Sequence, residues 1–190
     1  MRRVRVLFLT PPTPDYLAHG VLHGLRTLLG DGVVGTPKPA HLYAGAPDRA
    51  AKEYGRGFTM SRLLPEIEIE RPFPQQALDQ RNWDLVVVGS PWHAVDVLRR
   101  AVRLHPLTPV VVLDGHDRSH VFPHSLRERA DRGPRLPRAD RDTIYCKREL
   151  SSESAWLRWY RIKPRSLFTR PPRGLHPVAF SIPRRRSPAR

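Results

Sequence analysis

Two short apolar runs, DLVVV (84–88) and PVVVL (109–113), bracket a stretch with helical periodicity, and this unit constrains the fold more than any other part of the chain. Each run is uniformly apolar, so both read as strands buried on two faces. Gly89-Ser90 ends the first run, and Ser90 can cap a helix begun by Pro91. The helix predicted over 93–105 keeps Asp96, Arg99, Arg100 and Arg103 on one side and Val95, Leu98, Ala101, Val102 and Leu104 on the rest. Strand, amphipathic helix and strand in this order form a crossover that sets the two strands parallel in one sheet.

The amino-terminal segment repeats the pattern. VRVLFL (4–9) reads as a buried strand ended by Thr10-Pro11-Pro12. Thr13 can cap a following helix with Pro14 in its first position, and Leu17, Val21, Leu25, Leu28 and Leu29 share one face until Gly30 stops it. His19 and His23 fall opposite that face and are expected in solvent. Residues 31–73 are less regular, with a short strand at Val33-Val34 and otherwise loop and a broken helix. Beyond residue 118 come an Arg-rich loop, a candidate strand at 143–146, a basic aromatic stretch and a candidate strand at 178–182. The expected fold class is α/β, a Rossmann-like parallel sheet with helices on both faces, forming a single lobe over residues 1–183. The basic tail 184–190 is expected to be disordered.

A chain of 190 residues suits one domain. No apolar run approaches the roughly 18 residues of a membrane helix, and MRRVRVLFLT is too short in its apolar part for a secretion signal, so a cytoplasmic protein with no membrane span is expected. Cys146 is the only cysteine, which excludes an intramolecular disulfide and points to a small buried hydrophobe. The formal charge of +15 is unevenly spread. Residues 1–117 carry fourteen basic and twelve acidic side chains, whereas residues 118–190 carry nineteen and six. With twenty-nine arginines to four lysines, the excess has the compositional skew of a GC-rich genome, and nucleic acid is not the favoured partner. Trp156, Trp159 and Tyr160 among Arg158, Arg161 and Lys163 could stack single-stranded bases, but a helix packed on the sheet with snorkelling arginines explains the same spacing.

In parallel sheets the ligand crevice lies beyond the carboxyl ends of the strands, so Thr10, Gly89, Ser90, Asp114, His116 and Asp117 should gather at one rim. Asp114 or Asp117 could serve as a base toward a hydroxyl, and His116 could do so near neutral pH. The competing reading has Asp114 bonding a neighbouring loop or helix amide. No metal is expected, because Pro123 opposes a helical pairing of His120 with His124 and the remaining acidic and histidine spacing is irregular. YGRGFT (54–59) sets Arg56 between two glycines, where it could approach a phosphate or carboxylate, but it matches no phosphate-binding loop. A nucleophile elbow, a zinc-binding His-Glu-x-x-His helix and a catalytic triad are all missing from the sequence.

Six phrases occur in a set order: DYLAHGVLHGLRTLLG (15–30), YGRGFT (54–59), DLVVVGS (84–90), LDGHD (113–117), YCKREL (145–150) and PVAFSIP (177–183). Together they resemble the amino-terminal lobe of bacterial glycosyltransferase-like proteins of the two-lobed GT-B type. The resemblance implies a Rossmann-like lobe that holds a sugar acceptor, while a second lobe supplies most of the nucleotide-sugar site and no further cofactor is called for. It also implies that Asp114 to Asp117 form an acidic rim turn, with Asp114, His116 and Asp117 near the acceptor as the catalytic residues, and that Lys147, Arg148 and Glu149 form a charged turn that contacts substrate; Thr10, Gly89 and Ser90, from their place at the strand ends, and Arg56, from its place between two glycines, are the other expected substrate contacts. His116 stands where the pattern has an acidic residue. A second lobe would begin shortly after FSIP, where this sequence runs into RRRSPAR, so a partner supplying the donor lobe is expected if sugar transfer occurs. The rival expectations are a non-enzymatic module that binds a small ligand or partner, and nucleic-acid binding through the basic last third.

Overall fold

The computed structural model describes residues 3–49, 60–66, 72–80, 82–91, 95–105, 107–116, 143–148 and 175–178. Among these residues runs an α/β sheet of six strands: β1 (Val6–Leu9), β2 (Val33–Thr36), β3 (Leu85–Val88), β4 (Val110–Asp114), β5 (Thr143–Lys147) and β6 (Leu175–Pro177). Their order is β2-β1-β3-β4-β5-β6, and every neighbouring pair is parallel. The chain leaves β1 toward β2 on one side and returns to β3 on the other, so the order reverses at β1. This is the Rossmann-like arrangement expected from the alternating runs, with its topological switch between β1 and β3.

Strand periodicity divides the core into two layers. Val6 and Phe8 join Leu17, Ala18 and Leu22 of α1 (Tyr16–Leu29), together with Leu42, Tyr43 and Leu64. Leu7 and Leu9 turn the other way, against Ala77 and Leu78 of α2 (Pro74–Asp79) and Leu98 and Ala101 of α3 (Val95–Leu104). With helices on both faces, β1 and β3 have no wet side, which is why their sequences are apolar at every position.

Several local expectations are corrected. Asp15, not Thr13, caps α1: its Oδ1 accepts a hydrogen bond from the Ala18 amide at 2.9 Å. The buried face of α1 is turned away from Leu28, which is 80% exposed, toward Ala18, His19, Leu22 and Arg26. His19, expected in solvent, is only 1% exposed, and His23 is half-buried. Arg26 can be buried because its guanidinium donates to the Gly30 and Val33 carbonyls, the first near the helix end where a cation is favoured. The short strand at Val33-Val34 extends to Thr36, and a 3-10 turn at Ala40–Leu42 follows. The short helix α2 falls just after the region expected to hold a broken helix. The last strand is Leu175–Pro177, ahead of the expected 178–182. The Arg-rich loop, Trp156, Trp159 and Tyr160 and the tail 184–190 lie outside the described residues.

Gly89 marks where the layers close most tightly. A Cβ there would lie 2.7 Å from Pro11 Cδ, 2.9 Å from the Leu9 carbonyl oxygen and 3.2 Å from Ala18 Cβ. The Gly89 amide already donates to that same carbonyl at 2.8 Å, so neither backbone can retreat without losing the bond. Gly89→Ala is therefore expected to lose about 1–3 kcal/mol by overpacking, read as a lower urea midpoint with an unchanged slope.

Candidate functional site

The carboxyl ends of β1, β3, β4 and β5 bring Thr10, Gly89, Ser90, Asp114, His116, Lys147 and Arg148 to one rim, as the strand order requires. Asp117, Arg56 and Glu149 lie outside the described residues. The rim has two parts, separated by the amino end of α1.

The first part is a charged cluster at the exits of β4 and β5. Asp114 and Lys147 are direct partners in the strand register, so their side chains leave the sheet on the same face. Both are 0% exposed, with Lys147 Nζ 3.3 Å from Asp114 Oδ1. Tyr145, two residues earlier on that face, donates its hydroxyl to Asp114 Oδ2 at 2.6 Å. The His116 amide donates to Asp114 Oδ1 at 3.1 Å, and Lys147 Nζ also donates to the His116 carbonyl. Both carboxylate oxygens are thus engaged by protein groups, the arrangement that satisfies a buried charge. The turn after β4 is drawn tight against α1, since a Cβ on Gly115 would lie 2.4 Å from either Asp15 carboxylate oxygen. Burial raises the Asp15 carboxyl above its ordinary pKa, opposed by the Ala18 amide and the Arg148 guanidinium and reinforced by Asp114.

The second part is a cavity of about 150 Å³ at the exits of β1 and β2. Its walls are the β1–α1 loop, from Thr10 to Pro14, and residues 37–41, with His19 of α1 at its base. Five prolines stand in those walls, and their fixed φ angles hold the shape without any ligand present. Thr10 donates its hydroxyl to the Pro37 carbonyl, which fastens one wall to the other. Lys38 pairs with Glu66 and lies 4.7 Å over the Tyr43 ring. His41 Nε2 and His19 Nδ1 are 3.2 Å apart, with the rings in an edge-to-face pose. Desolvation, with His41 as a lesser cause, lowers the His19 pKa to about 3, and burial also lowers His41. Both rings are therefore neutral at pH 7.

Asp15, Lys38, His41 and Tyr145 were not singled out by the sequence. Tyr145 had a usable signal, its alternation with Lys147 in TIYCK; His41 had none, because its partner lies on another element. A larger cavity of about 310 Å³ opens near the amino ends of β1 and β3. Arg5 there stacks on Trp83 at 4.6 Å and Arg3 pairs with Asp31, and this is the end of a parallel sheet that ligands avoid. Among the described residues no group of three or more His, Cys, Asp or Glu side chains could hold a metal ion, and no helix is long and apolar enough to cross a membrane. Comparison with protein-family models, with curated proteins and with solved structures finds no match to this chain.

Proposed function

We propose that this chain is a small-ligand-binding α/β module that receives a neutral, hydroxylated molecule at its carboxyl rim, the task of an acceptor-side lobe in a glycosyltransferase-like protein. The observation that carries the reading is the preformed cavity at the exits of β1 and β2, walled by prolines and lined by neutral imidazoles and threonines rather than by uncompensated cations. Hydroxyl groups both donate and accept, and so suit imidazole nitrogens and threonine hydroxyls alike. An anion has less to gain here, because Asp15 already occupies the amino end of α1 and Glu66 neutralises Lys38.

In this reading Asp114 positions the rim and is not the base. Its enclosure by Tyr145, His116 and Lys147 favours binding over catalysis by this chain alone. Sugar transfer would require a donor site brought by another lobe. The test is ligand-observed NMR with a panel of neutral monosaccharides and small polyols at millimolar concentration. Binding is expected to weaken about tenfold or more, some 1.4 kcal/mol, in Ala40→Trp, which fills the exposed mouth of the cavity. No binding by any neutral member, or binding indifferent to Ala40→Trp, would sink the proposal. Turnover of a nucleotide sugar by this chain alone would instead restore a catalytic reading.

A further inference from the structure

We propose that the larger cavity, near the amino ends of β1 and β3, is a second ligand site, which takes a small carboxylic acid with an apolar body on the Arg5 guanidinium. The site lies at the opposite end of the sheet from the rim cavity and does not depend on how that cavity is read.

The lining divides by chemistry. Val34, Pro72 and Trp83 give an apolar floor, and Arg3, Arg5, Asp31 and Gln80 give the polar groups. At about 310 Å³ the cavity falls at the lower end of small-molecule sites, roughly 300–1,000 Å³, in which a few polar groups orient a ligand against an apolar wall. Two arginines face one aspartate, and Arg3 is paired with Asp31. Among the described residues of the lining, Arg5 therefore supplies the surplus charge.

Arg5 is held in place before any ligand arrives. Its amide donates to Asp84 Oδ2 at 2.8 Å, and its carbonyl accepts from the Asp84 amide at 2.9 Å. Its guanidinium carbon lies 4.6 Å from the centre of the Trp83 ring, and that ring is fixed in turn by donation from Nε1 to the Ala77 carbonyl at 2.7 Å. A ring face restrains a guanidinium without using its N–H groups, which lie in the plane of the group as a fork that matches a carboxylate. Part of the ordering that binding normally demands of a long side chain is thus done by the fold.

Ligands avoid this end of a parallel sheet because helices turn their carboxyl ends, with outward carbonyls, toward it. Here the Gly30 and Val33 carbonyls at the end of α1 accept from the buried Arg26, and Asp31 beside them is neutralised by Arg3. The repulsion that an anion would meet is offset locally. One guanidinium balances one negative charge, which favours a carboxylate over a phosphate dianion. The floor adds the second requirement, because a bare anion would use the arginine and leave the space over Val34 and Pro72 unfilled.

The experiment is ligand-observed NMR on the full chain, with benzoate, uncharged benzamide and inorganic phosphate as probes at millimolar concentration. Benzoate is expected to bind about tenfold more tightly than either of the others, the scale of a charge-assisted hydrogen bond. Arg5→Gln removes the charge but keeps a planar polar group, and should weaken benzoate about tenfold. Gln80→Trp fills the exposed rim of the cavity and should weaken benzoate as well; it serves as the deciding variant if Arg5→Gln does not fold. Benzoate binding that is absent, equalled by phosphate, or indifferent to Arg5→Gln or to Gln80→Trp would overturn the site. So would benzoate binding lost in Ala40→Trp, which would place the acid in the rim cavity. Failure of the monosaccharide panel leaves this result standing, since the two readings concern opposite ends of the sheet.

Discussion

Asp114→Asn is expected to destabilise the fold by about 3–5 kcal/mol, the usual cost of removing one partner from a buried ion pair. The cost arises at the lysine. Asparagine keeps one acceptor oxygen, so it can accept from the Tyr145 hydroxyl or from the His116 amide but not from both in their present positions, and it leaves Lys147 Nζ at 0% exposure without its carboxylate partner. Lys147→Met on the same background removes the orphaned charge and should recover most of the loss, because exchanging a whole buried pair for uncharged groups is often neutral or better. Urea denaturation of the wild type, both single variants and the double variant gives the coupling directly. A single variant within about 0.5 kcal/mol of wild type would mean that water reaches Lys147. Folded Asp114→Asn with unchanged ligand affinity would remove Asp114 from any direct role at the rim, leaving it the positioning role that its enclosure suggests.

The sheet was legible because each of its early strands states its own environment. VLFL, LVVV and VVVLD are apolar on both alternating faces, and only a parallel sheet covered by helices satisfies that. The gathering of Thr10, Gly89, Asp114 and His116 followed from topology alone. The orientation of α1 did not. A face chosen by hydrophobicity sends His19 and Arg26 outward, yet both are buried because a ring on residue 41 and two backbone carbonyls receive their polar atoms. Local sequence also could not choose between Thr13 and Asp15 as the cap, since both residue types cap well. Asp15 is favoured in this fold by the Ala18 amide, even though its burial beneath the glycine turn from β4 raises the carboxyl pKa. The Asp114–Lys147 pair was half visible, each residue at a strand end, but only the register of β4 on β5 makes them partners.

The same histidine cluster makes stability fall as the solution turns mildly acidic. A base whose folded pKa is depressed binds protons more readily when unfolded, so its contribution is whole above the unfolded value near 6.5 and drains away as pH falls toward the folded one. For His19, with a folded value of about 3, the loss between pH 7 and pH 5 is about 2 kcal/mol. His41 and His23 are lowered by burial and act in the same direction. Asp15 acts oppositely. Its carboxyl is raised, so the folded state gains relative stability as pH falls through the carboxylate range, and the imidazole effect is best read above that range. Urea unfolding at several pH values should therefore give a midpoint that declines from pH 7 to pH 5, with a clearly shallower decline in His19→Asn. The comparison of slopes matters more than absolute stability, because the smaller side chain also leaves a void with its own pH-independent cost. Identical slopes in the two proteins would assign the acid sensitivity to the chain's general positive charge, and His19 would then be titrating as an ordinary exposed imidazole.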